Sequence, residues 1–241
     1  MIKSITTAIK AYFGALALIS KLKLWKFFVI PIVISIITAI VVFSLAYSLS
    51  DNIGDVIAGL WKWDWGKSVF SSISSFFGGL SIVLIGLILY KHIVLALSSP
   101  FMSPVSEKIE NYFKGEQCEH KITSFQQQLF RGIKISLRNI CRELLFTIPL
   151  LLFSWIPVIG WCCTALSFLI QAYYAGFGNI DYTLERHFTF KESIEFVKKN
   201  KGLAIGNGII FMLFLLIPFI GIIIVLPLSV TAATTETIKK I

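Results

Sequence analysis

Ile156-Pro157-Val158-Ile159-Gly160 and, 61 positions later, Ile217-Pro218-Phe219-Ile220-Gly221 decide how this chain folds. Each lies near the middle of a long run without a charge: Leu144 to Ile180, 37 residues, and Gly202 to Thr235, 34 residues. As one straight helix, either run would exceed about 50 Å, well beyond a hydrocarbon core of about 30 Å. Two complete crossings would need about 40 apolar residues plus a connection, which neither run supplies. The length arithmetic therefore predicts a helical hairpin in each run (144–180 and 202–235) that enters the bilayer partway and returns. Two cramped full spans per run are the competing reading. Pro removes a backbone donor and Gly permits the turn. Pro157, Gly160, Pro218 and Gly221 are thus the candidate tip residues. Irregular backbone at that depth must be buried in protein or face a water-filled cavity.

Composition fits this picture. Of 241 residues, 56% are hydrophobic and only 15% charged, against about 25% charged in soluble domains. The deficit is concentrated in the charge-free runs, which predicts one all-α integral membrane domain over 1–241. Phe27 to Ser50 forms the first full span. Ser68 to Tyr90 forms the second, continuing to Ala96, with Gly78, Gly79 and Gly86 marking close helix approach. Trp61, Trp63 and Trp65 lie between the spans as interfacial anchors.

Amphipathic segments border the spans. Residues 1–26 carry Lys3, Lys10, Lys21, Lys23 and Lys26 and no acid. Ile2, Ile5, Ile9, Tyr12, Leu16 and Ile19 recur at helical spacing, which suits the bilayer surface. Ser98 to Pro104 ends the second span, with Ser103 as the cap of a new helix and Pro104 at its first position. Glu107 and Glu110 then suit that helix's positive N-terminal end. In 121–143, Phe125, Leu129, Ile133, Leu137, Ile140 and Leu144 form an apolar stripe. Arg131, Lys134, Arg138 and Arg142 form a basic one. The basic stripe is read as attraction to anionic headgroups, or alternatively as an anion-attracting vestibule. Phe190-Lys191-Glu192 opens a further amphipathic stretch.

Of the segments between spans, only 51–67 is poor in Lys and Arg, with three acids and two lysines. The positive-inside rule then places the N-terminus, the C-terminus and the other connections in the cytoplasm. His92, His120 and His187 are scattered, and Cys118, Cys141, Cys162 and Cys163 make no zinc spacing. No nucleophile–base pair is present, so neither an enzyme nor a cofactor is indicated. The hydrophobic runs leave no soluble basic domain for nucleic acid.

Four stretches together resemble the CysZ sulfate-permease family, within the etoposide-induced-protein membrane superfamily. Ser99-Pro100-Phe101 with Glu107 and Glu110 resembles its small-Pro-Phe segment and acidic helix. Asp181-Tyr182 and Phe190-Lys191-Glu192 resemble its markers before the last hairpin. Pro218, Pro227 and Ala233-Thr234 resemble its closing pattern. Leu24-Trp25-Lys26-Phe27 before Pro31 resembles the basic approach to its first long helix. The resemblance implies two long transmembrane helices with two pairs of half-penetrating helices. It also implies uptake of sulfate or a related oxyanion across the bacterial inner membrane for cysteine synthesis, by homo-oligomers. Typical members resemble Pro-Gly-Leu-Arg-Arg before the first long helix. Here Leu22, Trp25 and Lys26 stand at the proline and two arginine positions. Lys21, Lys23 and Lys26 are accordingly the candidate substrate-binding residues. Pro100, Phe101, Glu107, Glu110, Arg138, Pro157, Gly160, Pro218, Gly221 and Pro227 are the candidate structural and pore residues. A membrane-shaping role without transport is the alternative.

Overall fold

The computed structural model describes residues 2–59, 85–115, 124–153, 159–217 and 220–241, and these are helical almost throughout, without strands. Helix α1 is Ile2–Lys21. A 3-10 turn at Leu24–Phe27 follows, entered through Lys23 at φ 51°. Then come α2 (Val29–Gly59), α3 (Ile85–Leu97) and α4 (Ser99–Lys114). α5 (Phe125–Phe153), α6 (Ile159–Leu184), α7 (Phe190–Lys199), α8 (Lys201–Leu215) and α9 (Ile220–Ile238) complete the order.

At the second expected break the helix does end: α8 stops at Leu215, and Leu216 and Ile217 leave it before α9. Pro157 and Pro218 themselves lie outside the described residues, as do Trp61, Trp63, Trp65, Gly78 and Gly79. So does most of the second span, of which α3 is the described part. Gly86 fits the close-approach reading, because a Cβ there would lie 3.2 Å from Val42 Cγ1 of α2.

Several local expectations need correction. α2 does not end at Ser50 but runs on through Asp51 and Asp55 to Gly59, about 46 Å in all. The helix after the second span starts at Ser99, not Pro104, and Ser98 rather than Ser103 occupies the cap position. Pro100 explains the shift. It cannot continue the hydrogen-bond ladder of α3, and its ring clashes with the preceding turn. The chain therefore turns by 65° between α3 and α4. By length and composition, the described helix able to cross a membrane is Ile2–Lys21, with the bent α3–α4 pair a further candidate.

Two helices divide their apolar residues between the bundle and the exterior. α1 buries Ala8, Tyr12, Ala15 and Ile19, whereas Ile2 and Leu16 of the expected stripe are exposed. On α5, Phe125, Ile133 and Leu137 of the apolar stripe are exposed, and Leu129, Ile140 and Leu144 are half-buried. The buried face of α5 is Gly132, Ile135, Ser136, Asn139, Glu143 and Thr147. In water this would waste apolar area and desolvate polar groups. Against lipid, the same arrangement puts hydrocarbon outside and polar groups where neighbouring helices satisfy them.

Backbones meet closely where side chains are small. α6 and α8 run antiparallel, with Ala172 and Gly176 opposite Gly208 and Ala204. A Cβ on Gly176 would overlap the Ala204 carbonyl, and one on Gly208 would overlap that of Ala172. This is small-xxx-small packing on both partners. Gly206 meets α1 in the same way, a Cβ there lying 2.6 Å from the Ile5 carbonyl oxygen.

Candidate functional site

The small-residue contacts bring α3, α4, α5, α6, α8 and α9 close enough to bury a series of polar groups. At Asn207 four helices are tied together. Tyr12 of α1 donates to its carbonyl at 2.8 Å, Asn179 of α6 donates to its Oδ1 at 2.8 Å, and its own amide donates to the Ser229 carbonyl of α9 at 2.9 Å. Ser106, Thr183 and Thr234 form a hydroxyl triangle with sides of 2.9–3.1 Å, linking α4, α6 and α9.

Three clusters of charge accompany these contacts. In the middle of α3, Lys91 Nζ lies 2.5 Å from Glu143 Oε1, and His92 Nε2 lies 2.9 Å from Glu143 Oε2. All three side chains are fully buried. Lys91 also donates to the Gln171 carbonyl at 3.3 Å. Glu143 thus neutralises a lysine that the surroundings hide from water.

Past the end of α6, Arg186 donates to the carbonyls of Tyr182 and Ser103, to Ser106 Oγ and to Glu110 Oε2, all within 3.1 Å. It satisfies a carbonyl left over at the helix end while pairing with α4. Glu110 also receives His187 Nε2 at 2.9 Å and Lys114 at 3.2 Å. Burial alone would raise the Glu110 carboxyl. The hydrogen bonds and charges of His187 and Arg186 outweigh it and bring it down to about 2.

The third cluster joins α5 to the α6–α7 corner. Arg131 grips both Asp181 oxygens, at 2.9 and 3.0 Å, and donates to Phe188 O and Ser193 Oγ. This is the two-point geometry that a planar guanidinium suits. Burial lowers the Arg131 value, but Asp181 beside it raises it on balance. One turn on, Glu185 hydrogen-bonds Ser103 Oγ. Burial pushes the Glu185 carboxyl up to about 7, with the Ser103 hydrogen bond opposing and the Asp181 charge adding to the rise. α7 itself starts at a capping box, with Thr189 N–H donating to Glu192 at 2.7 Å and Glu192 N–H donating to Thr189 Oγ1.

The sequence-derived candidates divide among different places. Lys21, Lys23 and Lys26 are exposed at the α1–α2 corner. Lys21 Nζ donates to Tyr112 OH at 2.5 Å, and Lys26 lies over the Phe27 ring at 5.3 Å. Lys108 of α4 lies over the same ring at 4.8 Å, a basic neighbour that sequence spacing does not reveal. Glu107 and Glu110 are not a pair at a helix start. Glu107 points outward, while Glu110, deeper in α4, is fully buried. The reason is that three residues span less than a full turn, and α4 packs one of these faces on Arg186.

Arg138 is half-buried, donating to Asn139 Oδ1 at 2.8 Å and stacking over Phe177 at 5.2 Å. Pro100 is buried in the first turn of α4, and Phe101 meets Phe125 of α5 edge-on at 5.7 Å. Gly160 is buried at the start of α6, Gly221 lies in the first turn of α9, and Pro227 is buried within α9. The basic corner and the buried charge clusters are thus separate features. Lys91, Glu143, Glu185 and Arg186 were not among the sequence-derived candidates, and Asp181 entered only as a marker of the family resemblance. Glu143, the last charge before a 37-residue apolar run, was the available signal.

The family described as Sulfate transporter CysZ/Etoposide-induced protein 2.4 matches residues 11–225. The chain belongs to this family. Within the CysZ/etoposide-induced protein 2.4 family, it is similar to proteins named Sulfate transporter CysZ from Vibrio cholerae serotype O1, strains O395, M66-2 and El Tor Inaba N16961. Each is 27% identical over 151 residues, covering 60% of this chain and 58% of the relative. The matched part is therefore less than two thirds of the relatives' length. Membership gives the general class, a membrane protein of a transporter family, and accounts for an exterior richer in hydrocarbon than the interior contacts of α5.

Proposed function

We propose that this chain is a membrane permease for sulfate or a similar oxyanion, acting in uptake across the bacterial inner membrane for cysteine synthesis. The observation that carries the reading is the inverted distribution of polarity in a member of this family. Lys91, Glu143, Asn179 and Asn207 are buried between helices, while Phe13, Phe130, Leu145 and Leu152 are more than half exposed. The exposed corner of Lys21, Lys23 and Lys26, joined by Lys108, gathers the anion before it enters. With lysines in place of the family's arginine pair, the corner attracts by charge rather than by two-point hydrogen bonding. Pro157, Gly160, Pro218 and Gly221 build the helix breaks rather than line the path. Both termini face the cytoplasm, the hairpins at 144–180 and 202–235 are half-penetrating, and the protein assembles as a homo-oligomer.

Radiolabelled sulfate flux into proteoliposomes tests this. Flux above empty liposomes, reduced several-fold in Lys26→Ala, is expected, and competition by other oxyanions ranks the substrates. Flux equal to that of empty liposomes would refute transport. A second reading draws on Leu152, Phe153 and Trp161, which are 71%, 56% and 84% exposed beside the first hairpin's tip. Such a wedge could shape one leaflet without transport. Vesicle tubulation at low protein density, together with absent flux, would select it.

A further inference from the structure

α1 shows three faces. Ala8, Tyr12, Ala15 and Ile19 pack into the bundle. Phe13, at 85% exposure, and Leu16 point away from it. The remaining face, with Lys10, Gly14, Ala17 and Lys21 at helical spacing, forms one wall of an open groove of about 600 Å³. The ends of α4 and α9 form the other walls, through Tyr112, Phe113, Glu236 and Lys239.

The lining is divided by chemistry. Lys10, Lys21 and Lys239 bring three positive charges against the single carboxylate of Glu236. Lys239 is held to Glu236 at 2.5 Å and Lys21 to Tyr112, while Lys10 is exposed. The floor between the lysines is small and apolar. A Cβ on Gly14 would meet nothing within 4 Å. Half-exposed Phe113 forms an apolar side of the groove, and exposed Phe13 lies on the neighbouring face of α1. A free inorganic anion would use the charges but not this floor. A molecule with a phosphate head and a hydrocarbon tail uses both.

We propose that this groove binds one anionic glycerophospholipid, with its phosphate at Lys10 and Lys239 and the upper part of a chain over Gly14 and Ala17. Such a site anchors α1 at the interface by a specific lipid as well as by its exposed apolar face. It is independent of what the protein carries.

Native mass spectrometry of the full chain in detergent tests this with phosphatidylglycerol and phosphatidylcholine of matched chains. One retained phosphatidylglycerol, preferred about tenfold or more over phosphatidylcholine, is expected from two lysines near one headgroup. Lys10→Gln with Lys239→Gln should reduce the preference to below about threefold. Gly14→Leu should reduce retention of both lipids by filling the floor. Excess soluble glycerol phosphate should leave the bound lipid in place. Equal retention of the two lipids by the wild-type protein would overturn the proposal without recourse to any variant. Displacement by glycerol phosphate would overturn it in favour of a soluble-anion site, and unchanged selectivity in the lysine variant would place the lipid elsewhere.

Discussion

Glu143→Leu should be among the most damaging single changes in this protein. Its carboxylate lies 2.5 Å from Lys91 Nζ and 2.9 Å from His92 Nε2, with no exposure on any of the three side chains. At an effective dielectric of 20, opposite unit charges at that separation attract by about 7 kcal/mol. Desolvation offsets much of this, so the pair's net contribution is far smaller than its attraction. Removing one partner is a different matter, because Lys91 would stay buried with only the Gln171 carbonyl at 3.3 Å. Breaking a buried pair in this way costs about 3–5 kcal/mol.

For a chain of this size, that corresponds to an apparent melting shift of roughly 10 °C, at about 2–4 °C per kcal/mol. The double change Lys91→Met/Glu143→Leu removes both charges and should recover more than half of the loss, since an apolar pair of similar volume is often nearly neutral. Thermal melts of the detergent-purified single and double variants, read as a cycle, isolate the coupling. A single variant that melts within about 2 °C of wild type would refute the buried-pair account, since that shift is under about 1 kcal/mol. So would a double variant whose loss equals the sum of the singles.

Four further outcomes follow from other sites. A carboxyl raised to about 7 in the fold, as Glu185 is, keeps a proton that the unfolded chain releases near its ordinary 4.5. Its contribution, on the order of 3 kcal/mol, is thus fully present below about 4.5 and is lost as pH rises through 7. Melting of Glu185→Gln against wild type should show that slope vanish, and an identical slope in both would refute the assignment. Gly208→Val drives side-chain atoms into the Ala172 carbonyl and should cost about 3 kcal/mol by melting. Gly14→Ala, with open space around it, should instead stabilise by about 0.5–1 kcal/mol. Arg131→Lys loses the two-point grip on Asp181 and should destabilise the α5–α6 corner by about 1–3 kcal/mol, seen as faster amide exchange in α7.

The helical class, the helix end after Leu215 and the family were legible in the residues, because length, Pro and Gly act locally. Which face of a helix turns inward was not. Phe125, Ile133 and Leu137 do form a stripe on α5, and Arg131 and Arg138 do form another. The usual expectation that the apolar stripe seeks the core assumes water outside. With lipid outside, that preference disappears, and packing goes to whichever face carries small and pairable groups. On α5 that face is Gly132, Ser136, Asn139 and Glu143.

The partners of those groups could not be read from spacing either. Lys91 meets Glu143 across 52 positions, and Arg131 meets Asp181 across 50. What brings them together is the run of small residues. Gly132 is close enough to the α3–α4 corner that a Cβ would stand 2.6 Å from Ser99 Cβ, and Gly176 and Gly208 draw α6 and α8 together. Glycines therefore set the distances at which the buried charges can pair. If that is the order of cause, separating α6 from α8 with Gly208→Val should also weaken contacts that do not touch residue 208. The Asn179–Asn207 bond at 2.8 Å is one such contact. In the Gly208→Val background, Asn179→Ala should then cost much less than in the wild-type protein, and equal costs would show that the polar contacts, not the glycines, hold the helices at their spacing.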